Sequence, residues 1–172
     1  MDIRARTTQN EGRRKHAYLD SKLIWTTGVG FNLQRAGAKA ALAKAGVNYD
    51  MIWAAIEECK KAGGGRKPGD HTGDLVTDAQ IDQLLTNDIA GATADAKRLC
   101  PAFDTWPETA KMVLVDLVFN VGASKLGGWA HTMGAFRNKD WKSAADNLSV
   151  TQPWRGQVGK RADDNIAYLR SI

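Results

Sequence analysis

The sequence has little cysteine and histidine, which limits the ways in which it could be cross-linked or could hold a metal. Cys59 and Cys100 are too few for a disulfide framework, and both lie in segments with a helical pattern. We interpret them as buried thiols, with one disulfide or a reactive thiol as the alternatives. The three histidines, His16, His71 and His131, have no metal-like spacing with cysteines or carboxylates. We therefore expect no metal site and no cofactor.

Long apolar stretches are also missing. No run comes near the roughly 20 apolar residues that a helix needs to cross a bilayer, so we expect no stable membrane insertion. The N-terminal segment is basic, but it has no apolar core of the secretory kind, and Glu11 and Asp20 interrupt it. This pattern predicts that the chain carries no signal peptide.

The chain is moderately basic and of ordinary composition. Its 172 residues fit one domain, or two small lobes that share a core. The formal net charge of +5 suits an anionic partner, such as nucleic acid, a membrane surface or an acidic cell-wall polymer. A solvated basic surface is the plainer alternative, and charge alone does not choose among these.

The first half of the chain predicts a little β structure between helices. A short helix is predicted to about residue 13, and residues 17–33 are typical of a hairpin or three short strands. The alanine-rich segment after Gly37 predicts a helix that ends at Gly46, and Asp50 is the expected cap of the next helix. Residues 63–74 hold five glycines and a proline, which predicts a loop.

Two capping boxes are predicted further along. Thr77 and Gln80 form the first, and the helical period behind it continues for about 23 residues, up to Pro101. Thr105 and Glu108 form the second, with a proline in the permitted first turn.

The second half of the chain is predicted to be helical. The apolar run VLVDLVFNVG indicates a buried helix, and residues 129–148 and 159–170 have amphipathic helical patterns. The fold class is therefore α+β, with a small antiparallel sheet segregated from the helices. We predict a single domain, 1–172, made of a small lobe at about 12–76, a connecting helix at about 77–99, and a helical lobe at about 100–172 plus the N-terminal helix. A cleft between a small β lobe and a helical lobe is the expected place for a ligand.

The stretch EGRRKHAYLDSKLIWTTGVG, residues 11–30, carries the candidate chemistry. Glycoside hydrolysis needs two carboxyl groups, one to donate a proton and one to act on a water or on the anomeric centre. Glu11 and Asp20 could supply them, and Thr26 could hold the water. Each has a plainer explanation, since glutamates near helix ends are usually solvated and Asp20 before a serine often forms a turn. The glycines that follow could suggest a phosphate loop, but its third glycine and its G-K-[ST] are missing.

Taken together, these residues resemble a known family. The pattern E-G-x5-Y-x-D-x5-T-x-G-x-G is similar to that of the lysozymes of T-even bacteriophages, glycoside hydrolase family 24. It is carried here by Glu11, Gly12, Tyr18, Asp20, Thr26, Gly28 and Gly30. The resemblance continues at LVFNVG, residues 117–122, and at a W-x2-Q-x3-R-A motif that starts at Trp154. It covers residues 1–35 and 75–172, whereas residues 36–74 look more like longer relatives in phage tails and bacterial genomes.

The resemblance implies a lysozyme-like two-lobed fold and a role for each catalytic residue. Glu11 would be the general acid, and Asp20 the base or the stabiliser of an oxocarbenium-like state. Thr26 would position the attacking water, which implies inversion and two carboxyl groups about 6.5–9.5 Å apart.

The resemblance also implies substrate-binding residues. Asn120 falls where the family holds the saccharide with an amide, and Arg161 matches an arginine that approaches the catalytic glutamate. Their plainer alternatives are a buried polar residue and a solvated helix charge. Phe31 stands where the family often has a histidine, so any ion pair of that histidine is lost. The expected substrate-binding set is Gly28, Gly30, Phe31, Asn120, Gln157 and Arg161.

The function implied is that of a muramidase that cleaves the β-1,4 bond between N-acetylmuramic acid and N-acetylglucosamine in bacterial peptidoglycan. The expected protein is a monomer without a nucleic-acid partner. It would be released from the host cytoplasm to the wall through a holin, or carried in the virion. Two alternatives remain: a lytic transglycosylase that uses one glutamate, and a non-catalytic module that binds cell wall or nucleic acid.

Overall fold

The computed structural model describes residues 2–172, and it separates into two compact units. Arg4–Asp88 forms the sheet unit, and Ile89–Ile172 with Asp2 and Ile3 forms the helical unit. Most of the N-terminal helix therefore clusters with the sheet, whereas the sequence analysis assigned that helix to the helical lobe. The predicted division into lobes stays a prediction.

The sheet unit is built on four short antiparallel strands in the spatial order β3-β2-β1-β4. It begins with α1 (Ile3–Glu11), and the strands are β1 (Arg14–Leu19), β2 (Trp25–Gly28), β3 (Phe31–Asn32) and β4 (His71–Asp74). Strand β2 is buried along its whole length, which suits its central place and its aromatic and threonine side chains. The predicted hairpin region is thus confirmed as β1 to β3.

Two helices lie between β3 and β4. They are α2 (Ala38–Lys44) and α3 (Tyr49–Lys61). The prediction that Asp50 caps the second of them is wrong, because the Asn48 side chain accepts the hydrogen bond from the Met51 N–H. Asn48 has extended backbone angles, as an N-cap residue requires, whereas Asp50 already lies inside the first turn.

The glycine-rich segment is only partly a loop. Its last four residues form β4, which pairs with β1. The sequence HTGD has no apolar alternation and only one β-branched residue, so no local pattern predicts this strand.

Helix α4 (Asp78–Leu99) has 22 residues and is about 33 Å long. The predicted capping box in front of it is confirmed. The Thr77 N–H donates to Gln80 Oε1 at 2.9 Å, and the Gln80 N–H donates to Thr77 Oγ1 at 3.3 Å.

The helical unit packs its helices around one apolar core. A short 3-10 turn at Phe103–Thr105 precedes them. They are α5 (Glu108–Val121), α6 (Ala123–Gly127), α7 (Ala130–Arg137), α8 (Trp141–Val150), α9 (Trp154–Val158) and α10 (Lys160–Arg170). The predicted buried helix is confirmed as α5, whose residues 113–118 are all buried.

Two local predictions fail in this unit. The second capping box does not form, because the Thr105 hydroxyl donates to the Ala102 carbonyl instead of capping α5. The helix predicted at 129–148 is broken into α7 and α8 at Lys139, which has a left-handed φ of 57°, and Asp140 then caps α8. Within residues 2–172, no helix is both long and apolar enough to span a membrane. The fold is α+β, as predicted.

Candidate active site

Glu11 is the last residue of α1, and its carboxyl group lies against the turn between β2 and β3. A Cβ atom built on Gly30 would stand only 3.0 Å from Glu11 Oε2 and 3.1 Å from its Cδ. Gly30 also has a φ of 70°, which side chains on L-residues rarely adopt. Both the backbone conformation and the space therefore require glycine here, and the glycine lets the half-buried carboxyl approach the main chain.

Asp20 opens the turn that joins β1 to β2. Its Oδ1 atom accepts hydrogen bonds from the N–H groups of Lys22 and Ile24, each at 2.8 Å. The Asp20 N–H donates in turn to the Ile24 carbonyl at 3.0 Å. These bonds hold the side chain in one orientation, and no hydrogen bond within residues 2–172 uses Oδ2. One carboxylate oxygen thus shapes the turn, and the other remains for a water or a saccharide.

Thr26 lies on β2 directly opposite Tyr18 of β1. It is only 5% exposed, and its hydroxyl donates to the Ile24 carbonyl at 3.1 Å. Because the hydroxyl donates its one proton to that carbonyl, Oγ1 can bind a further partner only as a hydrogen-bond acceptor. This arrangement suits a group that holds a water molecule by one of its hydrogens.

Tyr18 lies within electrostatic range of both candidate carboxylates. The sequence analysis named it as part of the family pattern but gave it no role. Burial raises the pKa of its phenol above the ordinary value, and the Arg14 guanidinium opposes the rise. The carboxylates of Glu11 and Asp20 raise the Tyr18 pKa further. The phenol is thus kept protonated beside the two acids.

Gly28 and Phe31 occupy packed positions in the sheet unit. A Cβ on Gly28 would meet the Ile81 side chain at 3.7 Å, which is an ordinary contact. The Phe31 ring is 1% exposed and lies under the Arg35 guanidinium at 4.2 Å. Packing accounts for both residues, and their part in substrate binding stays a prediction.

In the helical unit, Arg161 is buried and paired. Its Nε and Nη2 atoms donate to the two oxygens of Asp116 at 3.1 and 3.0 Å, and the Asn165 amide donates to Asp116 Oδ2 at 2.9 Å. Asp116 is fully buried and Arg161 is 8% exposed, so Arg161 is not the solvated helix charge that was the alternative. Sequence reasoning missed Asp116, although a carboxylate inside the apolar run VLVDLVFNVG is a usable signal of a buried ion pair.

The two predicted amides of the helical unit differ in how they are held. Asn120 Oδ1 accepts from the Trp154 indole at 2.9 Å, which fixes the amide plane and turns its NH₂ group away from the indole. Gln157 is exposed on α9. Asn120 is thus oriented by its neighbour, and Gln157 is free to rotate.

The predicted site residues fall into two sets. The set in the sheet unit is Glu11, Asp20, Thr26, Gly28, Gly30 and Phe31, and the set in the helical unit is Asn120, Gln157 and Arg161. Among residues 2–172, no group of histidine, cysteine and carboxylate side chains is arranged to hold a metal ion.

Comparison with known families agrees with the resemblance found in the sequence. The family model "Phage lysozyme" matches residues 8–164 of the 172. The chain therefore belongs to the phage lysozyme family, and it is a cell-wall hydrolase of the lysozyme type. The match also spans residues 36–74, where the resemblance to the T-even enzymes is weaker.

Proposed function

We propose that this protein is an N-acetylmuramidase. It hydrolyses the β-1,4 bond between N-acetylmuramic acid and N-acetylglucosamine in bacterial peptidoglycan, with inversion at the anomeric carbon and without a cofactor. The observation that carries the proposal is the way in which hydrogen bonds orient the Asp20 carboxylate and the Thr26 hydroxyl. One Asp20 oxygen is tied to the turn while the other is available, and the Thr26 hydroxyl is oriented to accept.

In this mechanism Glu11 is the general acid. It donates its proton to the glycosidic oxygen as the bond breaks, and positive charge develops on the sugar ring. The water held by Thr26 attacks the anomeric carbon, and Asp20 Oδ2 takes its proton or stabilises the ring charge. The attack comes from the face opposite the leaving group, which gives inversion.

In this proposal the residues of the helical unit bind the saccharide and supply a positive charge. The Asn120 amide, oriented by Trp154, offers its NH₂ group to a substrate carbonyl or hydroxyl. Gln157 offers a second, mobile amide. Arg161, held by the buried Asp116, supplies a fixed cation whose orientation does not depend on solvent.

The same proposal covers the biological setting. A monomer released from the host cytoplasm through a holin, or carried in the virion, would degrade the wall in phage lysis or entry. The net charge of +5 favours association with an anionic wall.

The test is digestion of purified peptidoglycan by the wild type and by Glu11→Gln, with mass spectrometry of the products. Glu57→Gln is the matched control, because it makes the same change at an exposed residue of α3. We expect reducing muramic ends from the wild type and the control only. Removal of a general acid costs about 10²–10⁴-fold in rate.

Other products would point to other functions. Anhydro-muramic ends would indicate a lytic transglycosylase, and such an enzyme would tolerate Thr26→Ala because it needs no positioned water. Wall binding without any cleavage by the wild type would indicate a binding module. Inversion is tested separately, by following the anomeric configuration of the first product by NMR.

A further inference from the structure

The turn between β1 and β2 carries a leucine that is both strained and exposed. Leu23 has a φ of 60°, in the left-handed region, and it is 53% exposed. This backbone conformation is unfavourable for any residue with a side chain, and it is rare for a bulky one. An exposed leucine alone needs no explanation, but an exposed leucine in a strained position points to a function.

Hydrogen bonds on both sides of Leu23 impose its conformation. The Leu23 N–H donates to the Asp20 carbonyl at 3.1 Å, and the Asp20 N–H donates to the Ile24 carbonyl at 3.0 Å. Asp20 Oδ1 accepts from the N–H groups of Lys22 and Ile24, the two chain neighbours of Leu23, each at 2.8 Å. The turn that orients the Asp20 carboxylate therefore also fixes Leu23, at a position where glycine would be the least strained residue.

Lys139, in the turn between α7 and α8, has nearly the same backbone conformation. Its φ is 57°, and Leu23 and Lys139 are the non-glycine residues with a positive φ within residues 2–172. Lys139 is exposed, and water solvates its charged side chain. Leu23 instead places an apolar side chain in water. Neither solvation nor burial in the core therefore accounts for a leucine at this position.

Leu23 is held close to the candidate active site. Its Cα atom lies between two N–H groups that both donate to Asp20, its own to the carbonyl and that of Ile24 to Oδ1. In the proposed mechanism Asp20 Oδ2 faces the reacting sugar. A sugar that reaches Oδ2 therefore brings a neighbouring group within contact distance of the Leu23 side chain.

The glycan has few apolar groups that could contact a leucine. Both of its sugars carry an acetamido group on the carbon next to the anomeric carbon. The methyl of the acetamido group is the apolar group that is the fewest bonds away from the anomeric carbon. Contact between this methyl group and a leucine removes apolar surface of both partners from water, which favours binding.

We infer that Leu23 is a specificity-determining residue, whose side chain packs against the N-acetyl methyl group of the sugar that reacts at Asp20. The inference rests on the proposed function, which places the anomeric carbon of that sugar beside Asp20. The leucine is strained and exposed in the free protein, and the contact with the substrate covers it. The protein thereby favours N-acetylated chains over chains that lack this methyl group.

The experiment compares glycan chains that differ by that methyl group alone. The chains are de-N-acetylated and then acylated again, with acetyl groups in one preparation and formyl groups in the other, so that their charge is the same. The measured quantity is the ratio of kcat/KM on acetylated chains to kcat/KM on formylated chains. The variants are Leu23→Gly and Leu23→Asn, since both residues tolerate the left-handed backbone. Lys139→Gly is the control, because it relieves the same strain in another turn.

We expect the ratio to fall about fourfold in both Leu23 variants, the factor that corresponds to one buried methyl group, and to stay at the wild-type value in Lys139→Gly. None of the three variants should have a lower Tm than the wild type, because each replaces a strained residue by a tolerant one. An unchanged ratio in the Leu23 variants would overturn the inference. So would an equal loss on both kinds of chain, because it would show that Leu23 acts only by shaping the Asp20 turn.

Binding measurements separate this inference from the proposed function. Calorimetry with acetylated and formylated chains, carried out on Glu11→Gln and on Glu11→Gln/Leu23→Asn, reports on the contact without cleavage. A gain in affinity from the methyl group that Leu23→Asn removes would support the contact whatever the digestion shows. Absence of cleavage by the wild type would refute only the muramidase, and an affinity that does not depend on the methyl group would refute only the contact with Leu23.

Discussion

Replacement of Gly30 by alanine should disable the protein more than it destabilises it. The new methyl group would stand 3.0 Å from Glu11 Oε2, closer than nine in ten Cβ contacts in proteins, so the carboxyl group must move by a few tenths of an ångström. The backbone at Gly30 has a φ of 70°, and the left-handed conformation costs an L-residue roughly 1–2 kcal/mol. A forced rotamer of Glu11 adds about 0.5–1.5 kcal/mol.

These terms give a loss of about 1.5–3.5 kcal/mol in the free energy of unfolding. For a chain of this length, that corresponds to a fall in Tm of about 3–14 °C. The displaced carboxyl should lower kcat about 10–100-fold, because a misplacement of about 1 Å can cost 10²-fold in rate. The assay is turnover of soluble peptidoglycan strands well below the Tm of the variant, together with thermal unfolding.

Gly37→Ala is the matched control. Gly37 has a φ of 77°, and no atom lies within 4 Å of the position that its new Cβ would take, so the backbone strain is the same and the contact with Glu11 is absent. We expect the free energy of unfolding to fall by the backbone strain alone, roughly 1–2 kcal/mol, and kcat to change by less than about threefold. If Gly30→Ala loses no more activity than Gly37→Ala, the contact between Gly30 and Glu11 does not position the acid.

Three further results are expected. Asp116→Asn should lower the free energy of unfolding by about 3 kcal/mol, because it removes the buried carboxylate that accepts two hydrogen bonds from the Arg161 guanidinium. The Asp116→Leu/Arg161→Met pair should recover part of that loss in chemical denaturation. Burial raises the pKa of Cys100 to about 11, so a thiol reagent at pH 8 should label the partly exposed Cys59 rapidly and Cys100 only on unfolding. Hydrogen bonds from two arginines lower the pKa of Asp82. The carboxylate therefore stabilises the fold above its unfolded pKa near 3.8, and this stabilisation is lost as the pH falls through the lower folded value. Asp82→Asn should flatten the plot of unfolding free energy against pH only on that acid side.

Local patterns in the sequence were enough to predict most helices. The capping box of Thr77 and Gln80 involves neighbours in the chain, and the helical period behind it runs through all of α4. Where two local signals compete, the pattern alone does not decide between them. Asn48 rather than Asp50 caps α3, and Thr105 satisfies a carbonyl of its own turn instead of capping α5.

Strand β4 shows why long-range pairing escapes a local pattern. Its residues have weak strand propensity, and they form a strand because β1 offers hydrogen-bonding partners, as in the pair of Ala17 N–H and Thr72 Oγ1, separated by 55 positions. The entropic cost of closing so long a loop is offset by contacts throughout the sheet unit, so the segment itself carries no sequence pattern that predicts the pairing.

The sequence by itself determined the family and which residue types are available for the chemistry, because spacing and identity are properties of the chain. Tertiary structure alone decided that the Glu11 carboxyl rests on Gly30, that Phe31 is buried, and that Arg161 is paired with Asp116 across 45 positions. These facts depend on side chains that folding brings together and removes from water. No short stretch of sequence records which distant group will be there to satisfy a buried charge.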